Sequence, residues 1–411
     1  MSSAAPTLDR NLVSPQNMLN PFPLYQYLRE NEPVHWSDTV NAWFVTRYND
    51  VVAAYRDPRL TANRAKLFEY QVQGLSPDVT REFMQTIRNQ MFMLDGPEHV
   101  RLRRQTGMGF TPQKLDELRP TVHRLMRELL EQLSPRGEMD LVKDLSYPMP
   151  ALAIADLLGI PAEDRERFRA WSDHLALFSS PPVGSDPLVL ASNANKTMVE
   201  MKEYLLPIIE ERRHHPGLDA LSQMLMVQEQ GKMTPEELVA NAILILFAGH
   251  TTTTDQLSNG VYDLLTHPDQ LQKLRDDMGL LRSAVEEMLR YTTSVPAITR
   301  VVASDFEWHG QKLRQGQLVF LVMAAANRDP SVFPDPERFD ITRDSYHQKH
   351  LSFGFGAHHC MGAGLARREL EIGISMLLER LPGLRLDESR SPQVKCHGLS
   401  FRGFDSLPVR W

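Results

Sequence analysis

Hydrophobic residues recur with helical spacing along most of the chain. From Asp50 to about Arg290, apolar positions repeat every three or four residues, as in Leu115–Leu133 and Met198–Arg213, which predicts a series of amphipathic helices. A Pro/Gly/Ser-rich stretch from Ser179 to Asp186 interrupts the series and predicts a mobile loop. One more helix is predicted over roughly Ala363–Leu381.

Runs of β-forming residues flank the helical region. After a short predicted helix at Phe22–Asn31, two strands are predicted at Val34–Trp36 and Trp43–Thr46. Farther along, Phe306–Trp308 and Leu318–Met323 also read as strands, and the chain beyond the last helix is β-rich. The pattern predicts a mainly α protein with small β-sheets, of the α+β class.

One predicted helix is unusually long. It begins with a capping box, in which Thr234 caps, Pro235 takes the first helical position and Glu237 reaches back, and it can continue to His267. Such a helix is roughly 45–50 Å long and should cross the core. Its centre, Ala248–Thr254, contains a glycine and four threonines, which are poor helix formers. A buried helix weakened at its centre suggests a functional site there.

Composition removes several classes of protein. The 411 residues carry 45 Lys+Arg against 52 Asp+Glu, a net charge of −7, without a long basic run, so nucleic acid is not expected as a partner. Two cysteines cannot form a disulfide scaffold, which favours a cytoplasmic location. No membrane anchor is predicted, and no linker divides the chain, so we expect one domain with residues 1–11 as a flexible tail.

The candidate chemistry centres on Cys360, in a loop that runs from Phe353 to Gly362. Glycines around the cysteine allow positive φ and close approach to a flat ligand, and the following helix directs its N-terminus at the sulfur. We expect a low pKa at Cys360 and a thiolate that binds iron. Taken alone, the loop fits a buried cysteine in a glycine-rich turn about equally well.

This loop resembles that of the cytochrome P-450 family, of the soluble bacterial type. It matches the family form FxxGxxxCxG in full and adds the bacterial GxGxHxC spacing. The resemblance implies a triangular, helix-rich single domain. It also implies haem b (iron protoporphyrin IX), held between the long central helix and the helix after the cysteine, with Phe353 and Gly362 at the cofactor. Cys396 matches no motif and is expected to be an ordinary thiol.

Further family signatures occur in the expected order. Thr252 matches the hydroxyl that assists proton delivery to dioxygen, although a threonine can also bond back to its own helix. Glu287 and Arg290 match the ExxR motif, and Arg338 matches the third member of a buried structural network. His99, Arg103, Arg300 and His358 are the implied partners of the haem propionates, because buried carboxylates need cations or strong donors.

The chain departs from the family pattern at Thr251. An acidic residue usually stands there, and the nearest acid on the helix is Asp255, about one turn farther on. Proton delivery is therefore expected to use Thr251, Thr252, water or the substrate, or else the protein is slower and releases peroxide.

The resemblance implies a monooxygenase that inserts one oxygen atom of O2 into a C–H bond or double bond of a medium-sized lipophilic natural product. The implied substrate pocket comprises Leu244, Ala248, Gly249, Val295, Ile298, Leu399, Ser400 and Phe401. Electrons are expected from a ferredoxin or flavodoxin and its reductase. That partner would dock on a basic patch formed by Arg101, Arg104, Arg367 and Arg368.

Two other functions stay open. Thr251 is compatible with a peroxide-driven or oxidative-coupling haem enzyme. The chain could also be a non-catalytic haem sensor or recruitment module, for which Thr252 would be unnecessary.

Overall fold

The computed structural model describes residues 8–161, 164–182, 184–344, 349–395 and 398–411. Most of the predicted N-terminal tail and Cys396 lie outside these ranges, so the expectations for them are not addressed by the structure.

Helices make up most of the described chain. Their bounds are α1 Pro15–Leu19, α2 Phe22–Asn31, α3 Tyr48–Arg56, α4 Ala65–Gln71, α5 Arg81–Arg88, α6 Gly96–Thr106, α7 Pro112–Leu133, α8 Pro148–Leu158, α9 Arg165–Ser179, α10 Pro187–His214, α11 Ala220–Glu229, α12 Pro235–Thr266, α13 Pro268–Asp276, α14 Leu281–Tyr291, α15 Met323–Ala326 and α16 Ala363–Arg380. A π-helical turn at Val142–Ser146 precedes α8.

The strands are short and form small sheets. They are β1 Val34–Ser37, β2 Ala42–Val45, β3 Leu60–Thr61, β4 Glu138–Asp140, β5 Ile298–Val302, β6 Phe306–Trp308, β7 Gln311–Leu313, β8 Leu318–Leu321, β9 Arg385–Leu386, β10 Gln393–Val394, β11 Phe404–Ser406 and β12 Pro408–Arg410. The largest sheet has the order β1-β2-β8-β5-β3, with β2 and β8 parallel. The others are β4-β12-β9, β6-β7 and β10-β11.

Most predicted elements occur where the sequence pattern placed them. The helix Phe22–Asn31 has the predicted bounds, and the long helix starts with the predicted capping box of Thr234 and Glu237. The predicted strand Leu318–Met323 is too long, because the chain turns after Leu321 and Met323 begins the short helix α15.

The long helix α12 runs between two hydrophobic clusters. Its first half packs into one cluster through residues such as Leu238 and Ile243, and its second half packs into another through Leu257, Val261 and Leu264. The weak centre therefore lies where the two clusters meet. In the described part of the chain, no helix is both long and apolar enough to cross a membrane.

A candidate cofactor and active-site cavity

The cysteine loop, Phe353–Gly362, takes a shape that requires glycine. Gly354 and Gly356 have φ of 71° and 69°, in the left-handed region where a Cβ is disfavoured. The backbone N–H of Cys360 donates to the carbonyl of Phe353 across 2.7 Å and closes the loop. At Gly362 the backbone is ordinary, but a Cβ there would lie 3.9 Å from the cysteine sulfur. Gly354 and Gly356 thus set the course of the loop, and Gly362 leaves the space beside the sulfur free of a side chain.

Partly buried polar contacts with Glu286 of α14 support the loop. The Arg367 guanidinium lies 4.5 Å from the ring centroid of Phe353 and pairs with Glu286 across 2.5 Å. His350 contacts the same carboxylate across 3.1 Å. Burial opposes ionisation of Glu286, but hydrogen bonds from His350 and Arg367 outweigh it and lower its pKa to about 2.

The sulfur of Cys360 opens onto a cavity between the loop and α12. Protein atoms surround the thiol on its other sides, and burial raises its pKa. The backbone N–H groups of Gly362 and Ala363 and the charges of Arg103 and Arg367 act in the opposite direction. The expected low pKa is therefore wrong for the protein by itself, because desolvation exceeds the effect of the helix N-terminus. A bound cation at the sulfur would supply the missing stabilisation.

One edge of the cavity is strongly basic. His99, Arg103, Arg300 and His358 all line it, as predicted, and Arg64 joins them. The rings of His99 and His358 stack with centroids 4.0 Å apart. Burial and the charges of His358 and Arg103 lower the pKa of His99 to about 4, so at neutral pH His99 is an uncharged hydrogen-bond donor.

These basic residues fit an anionic ligand. Arg64 and Arg300 are buried, and burial lowers the pKa of both, with the charge of Arg300 acting further on Arg64. Among the described residues, Asp95 is the carboxylate whose charge raises the pKa of both arginines. Its oxygens already accept hydrogen bonds from His358, Thr61 and the N–H of Ala62. The donors present suit a ligand that places carboxylates at this edge and a metal ion at the sulfur. Haem b has both features, so these residues fit haem b.

The two central threonines of α12 face different cavities. Thr252 lines the haem cavity, and its hydroxyl donates to the carbonyl of Ala248 across 3.0 Å. Thr251 lines a second cavity behind the helix and not the haem cavity. Direct participation of Thr251 at the haem is therefore not supported, because consecutive residues of a helix point about 100° apart.

The structure brings five of the predicted substrate-pocket residues together. Leu244, Ala248, Gly249, Val295 and Ile298 line the haem cavity. The three predicted C-terminal members are not among its lining residues. Phe401 lines the second cavity, the N–H of Ser400 donates to Ser180, and Leu399 packs against a core cluster near β8.

The structural network is present, but its third member differs from the prediction. Glu287 and Arg290 form two bonds of 2.7 and 2.8 Å, both side chains being fully buried. Arg343, at 3.2 Å, is the second arginine on Glu287. Arg338 is exposed and contributes only its backbone carbonyl, which accepts from Arg290. The chain turns between Arg338 and Arg343, and this turn brings the later arginine inward.

The predicted basic docking patch is mostly neutralised. Arg101 pairs with Glu98 and Glu237, Arg367 with Glu286, and Arg368 with Asp116. Arg104 is the predicted patch member that stays exposed without an ion pair among the described residues.

Three residues of the site were missed at the sequence level. Arg64 and Arg343 belong to no motif that marks them, and their roles follow from contacts with residues distant in sequence. Glu369 lines the haem cavity from α16 beside Thr253, and burial raises its pKa well above the usual range. Glu369 is one of three glutamates of α16 and follows two arginines, so nothing in the local sequence distinguishes it as a buried acid.

Comparison with known proteins agrees with this site. The sequence model described as cytochrome P-450 matches residues 37–397. The chain is 36% identical over 418 residues to the cytochrome P-450 monooxygenase PikC of Streptomyces venezuelae, covering 100% of this chain and 95% of that protein. It is also 36% identical over 395 residues to the 6-deoxyerythronolide B hydroxylase of Saccharopolyspora erythraea, covering 94% and 95%.

Solved structures give the same result. The structure of epothilone B-bound cytochrome P-450 epoK matches with a TM-score of 0.88 at 30% identity, covering 98% of this chain and 99% of that chain. The structure of P-450 BioI in complex with hexadec-9Z-enoic acid ligated acyl carrier protein also matches with a TM-score of 0.88, at 33% identity, covering 97% and 100%.

Proposed function

The chain belongs to the cytochrome P-450 family, whose members bind haem b, and we propose that it is a monooxygenase for neutral, medium-sized lipophilic molecules. The observation that carries the proposal is the placement of Cys360 and Thr252 on the same cavity, with the basic edge at its side. In this proposal the enzyme is a single haem domain that works in the cytoplasm.

Each part of the cavity has an assigned task. The haem, when bound, supplies oxygen activation and the oxidation of the substrate. Cys360 would hold the iron through its sulfur, and Arg64, His99, Arg103, Arg300 and His358 would hold the propionates. The Thr252 hydroxyl leaves the carbonyl of Ala248 to hold or pass a proton at Oγ1. Overall, substrate, O2, two electrons and two protons yield hydroxylated product and water.

The apolar wall determines the substrate class. Leu244, Ala248, Val295 and Ile298 orient the molecule and exclude water, while the basic side chains that line the cavity cluster at the propionate edge. An anionic group on the substrate would lack a partner against the apolar wall. Since one similar protein is named a 6-deoxyerythronolide B hydroxylase and the structure of another is bound to epothilone B, we favour a polyketide-type natural product.

A panel of neutral and acidic lipophiles tests this proposal. We expect neutral polyketides, terpenoids or steroids to shift the Soret band by displacing the water ligand, with dissociation constants at least tenfold below those of matched carboxylic acids, because burying an unpaired carboxylate is costly. The readout is spectral titration, followed by product analysis with a ferredoxin–reductase system.

The same panel of lipophilic molecules distinguishes between the remaining candidate functions. Tighter binding of the acids would contradict the proposed substrate class. Faster turnover with hydrogen peroxide than with the reductase system would favour the peroxide-driven enzyme, a candidate retained because Thr251 replaces the usual acid. Binding without product under either condition would indicate a sensor.

We propose that the electron donor, a ferredoxin or flavodoxin, docks beside the cysteine loop at Arg104. Arg103, next in sequence, donates to the carbonyl of His359 across 2.6 Å, which places this end of α6 against the loop. Val100 and Met108, one turn before and after Arg104, are 61% and 43% exposed. An exposed cation between two exposed apolar side chains suits an acidic protein partner.

Charge reversal tests the docking site. Arg104→Glu is expected to slow ferredoxin-driven reduction by on the order of threefold to tenfold at low salt, with a smaller effect at high salt, because a rim charge mainly alters association. Stopped-flow reduction under carbon monoxide measures the rate. Arg385→Glu, in the separate β4-β12-β9 sheet, is the matched control. Equal rates for both variants would remove Arg104 from the interface.

A further inference from the structure

Behind the centre of α12 lies a second cavity, distinct from the haem cavity. Thr251 and Asp255, one turn apart on α12, line the same side of it. Lys395 and Phe401 close it from the C-terminal segment, and Asp173 lines it from α9. Asp173 is an exposed side chain on this wall of the cavity.

Several buried polar atoms converge on this cavity without a partner in the described chain. They are Nε2 of His250, Oγ1 of Thr251, Oγ1 of Thr254 and Oδ2 of Asp255. Nδ1 of His250 lies 2.8 Å from the carbonyl of Leu246 and must donate to it, so in the neutral ring Nε2 is an acceptor. Buried polar groups are rarely left unsatisfied, so these atoms require a hydrogen-bonding partner that the described residues do not supply.

One ion pair links the cavity to solvent. Nζ of Lys395 lies 2.6 Å from Oδ1 of Asp255, whose side chain is 0% exposed, whereas that of Lys395 is 19% exposed. Gly403 lies against the carboxylate so closely that a Cβ there would be 2.3 Å from Oδ1. Asp255 is thus fixed through Oδ1, and its Oδ2 has no partner among the described residues.

We propose that this cavity is the proton inlet of the enzyme, in which Asp255, positioned by Lys395, passes protons through water to Thr251, whose side chain then rotates to pass them toward Thr252, the next residue, on the haem side of α12. The acid absent from position 251 is in effect relocated by one turn. This inference rests on the proposed monooxygenase function. Thr251 Oγ1 can rotate without breaking a bond to the described residues, and one water can span the separation of about 5–6 Å between Cβ atoms at i and i+4.

Asp255 regains every proton that it gives, so the relay neither gains nor loses protons over one turnover. Asp255 gives a proton to a cavity water, and solvent near Lys395 and Asp173 returns one, so each of the two protons used per turnover leaves the carboxyl unchanged. Burial raises the pKa of Asp255 to about 6, with Lys395 opposing the rise and Asp405 and Asp173 adding to it. Arg169 and His250 also face the cavity. A carboxyl of this pKa exchanges protons efficiently near neutral pH.

Asp255→Asn tests the relay, because asparagine keeps the size of the side chain and an oxygen for Lys395. We expect product per NAD(P)H to fall by about tenfold, with the missing electrons recovered as peroxide, since a positioned proton donor contributes at least this much. In the native protein, product yield should decrease as pH rises through the titration of Asp255, and the variant should lose that dependence. Thr251→Val should uncouple similarly, and Thr251→Ser should restore coupling.

Asp263→Asn is the matched control. Asp263 is another buried acid of α12, with one unpartnered oxygen, but it lines a different cavity. This variant should keep native coupling and its pH dependence. The spectrum of the reduced protein with carbon monoxide should be the same in all variants.

Infrared difference spectra of the reduced, carbon monoxide-bound protein supply a readout independent of turnover. Asp255→Asn should remove one carboxylic-acid band, which in the native protein shifts in D2O and titrates with pH. Native coupling in Asp255→Asn, or a band that does not exchange with D2O, would overturn the relay. Absence of product from the native protein would instead contradict the proposed function, so the two failures are distinguishable.

Discussion

Replacement of Cys360 by histidine is expected to abolish the red-shifted absorption band of the reduced protein with carbon monoxide and to lower product formation by on the order of a hundredfold or more. An imidazole donates less electron density than a thiolate, and thiolate donation assists cleavage of the O–O bond. The basic edge and the apolar wall are untouched, so the variant should still take up haem. Absorption spectra and product analysis measure the two effects.

The other cysteine provides the control for this experiment. Cys396 matches no sequence motif, and Cys396→Ser is expected to keep both the band and the activity. A red-shifted band that survived in Cys360→His would show that another ligand holds the iron, and the assignment of the cysteine loop would be wrong.

The second large effect is expected at the buried ion pair of Glu287 and Arg290. Arg290→Ala should destabilise the fold by about 3–5 kcal/mol, because it removes one partner of a fully buried pair. Nη1 of Arg290 also donates to the carbonyls of Asn327 and Pro336, each across 2.9 Å. The variant therefore loses the link between α14 and the segment that leads to the cysteine loop.

That link explains why haem binding should fail as well. Asn327 accepts from the N–H of Leu351 across 2.7 Å and donates to Ser352, whose hydroxyl donates to the carbonyl of Leu289. Ser352 directly precedes Phe353, the first residue of the cysteine loop. We expect Arg290→Ala to lower both the urea midpoint and the ratio of Soret to protein absorbance.

Variants of two other arginines test whether the third member of the buried network is Arg343, as the geometry indicates, or Arg338, as the motif predicts. Arg343→Ala should cost about 1–3 kcal/mol, because it removes a charged hydrogen bond from buried Glu287. Arg338→Ala should stay within about 0.5 kcal/mol, since its side chain is exposed. The reverse order of the two variants would restore Arg338 as the network member and contradict the geometry described above.

Much of the fold was predictable because its signals are local. The capping box of α12 involves residues three positions apart, and the positive φ angles of Gly354 and Gly356 follow from the needs of one loop. For the same reason, Cys360 and Thr252 could be located from motifs. The prediction that a strand extends to Met323 is wrong, because the chain turns after Leu321 despite the local preference for β structure.

The predictions that the structure contradicts failed because they depend on contacts between distant segments. The direction of the Cys360 pKa shift depends on burial by distant segments, which exceeds the local effect of the helix N-terminus. The sequence predicts a patch that includes Arg101, Arg367 and Arg368. Their partners Glu237, Glu286 and Asp116 lie on other helices, so the packing of distant elements neutralises the patch.

The sequence by itself determined the helical framework and the glycine-rich cysteine loop, because these depend on short-range spacing, which a sequence displays directly. Thr252 and most of the basic edge were located through the resemblance of the sequence to the cytochrome P-450 family. Only the tertiary structure decided that Arg343 and not Arg338 completes the buried network, that Arg64 joins the basic edge and that Thr251 turns to a second cavity with Asp255 and Lys395. Such choices depend on how distant segments pack, because packing fixes which side chain at a turn or on a helix points inward and which neighbour it meets.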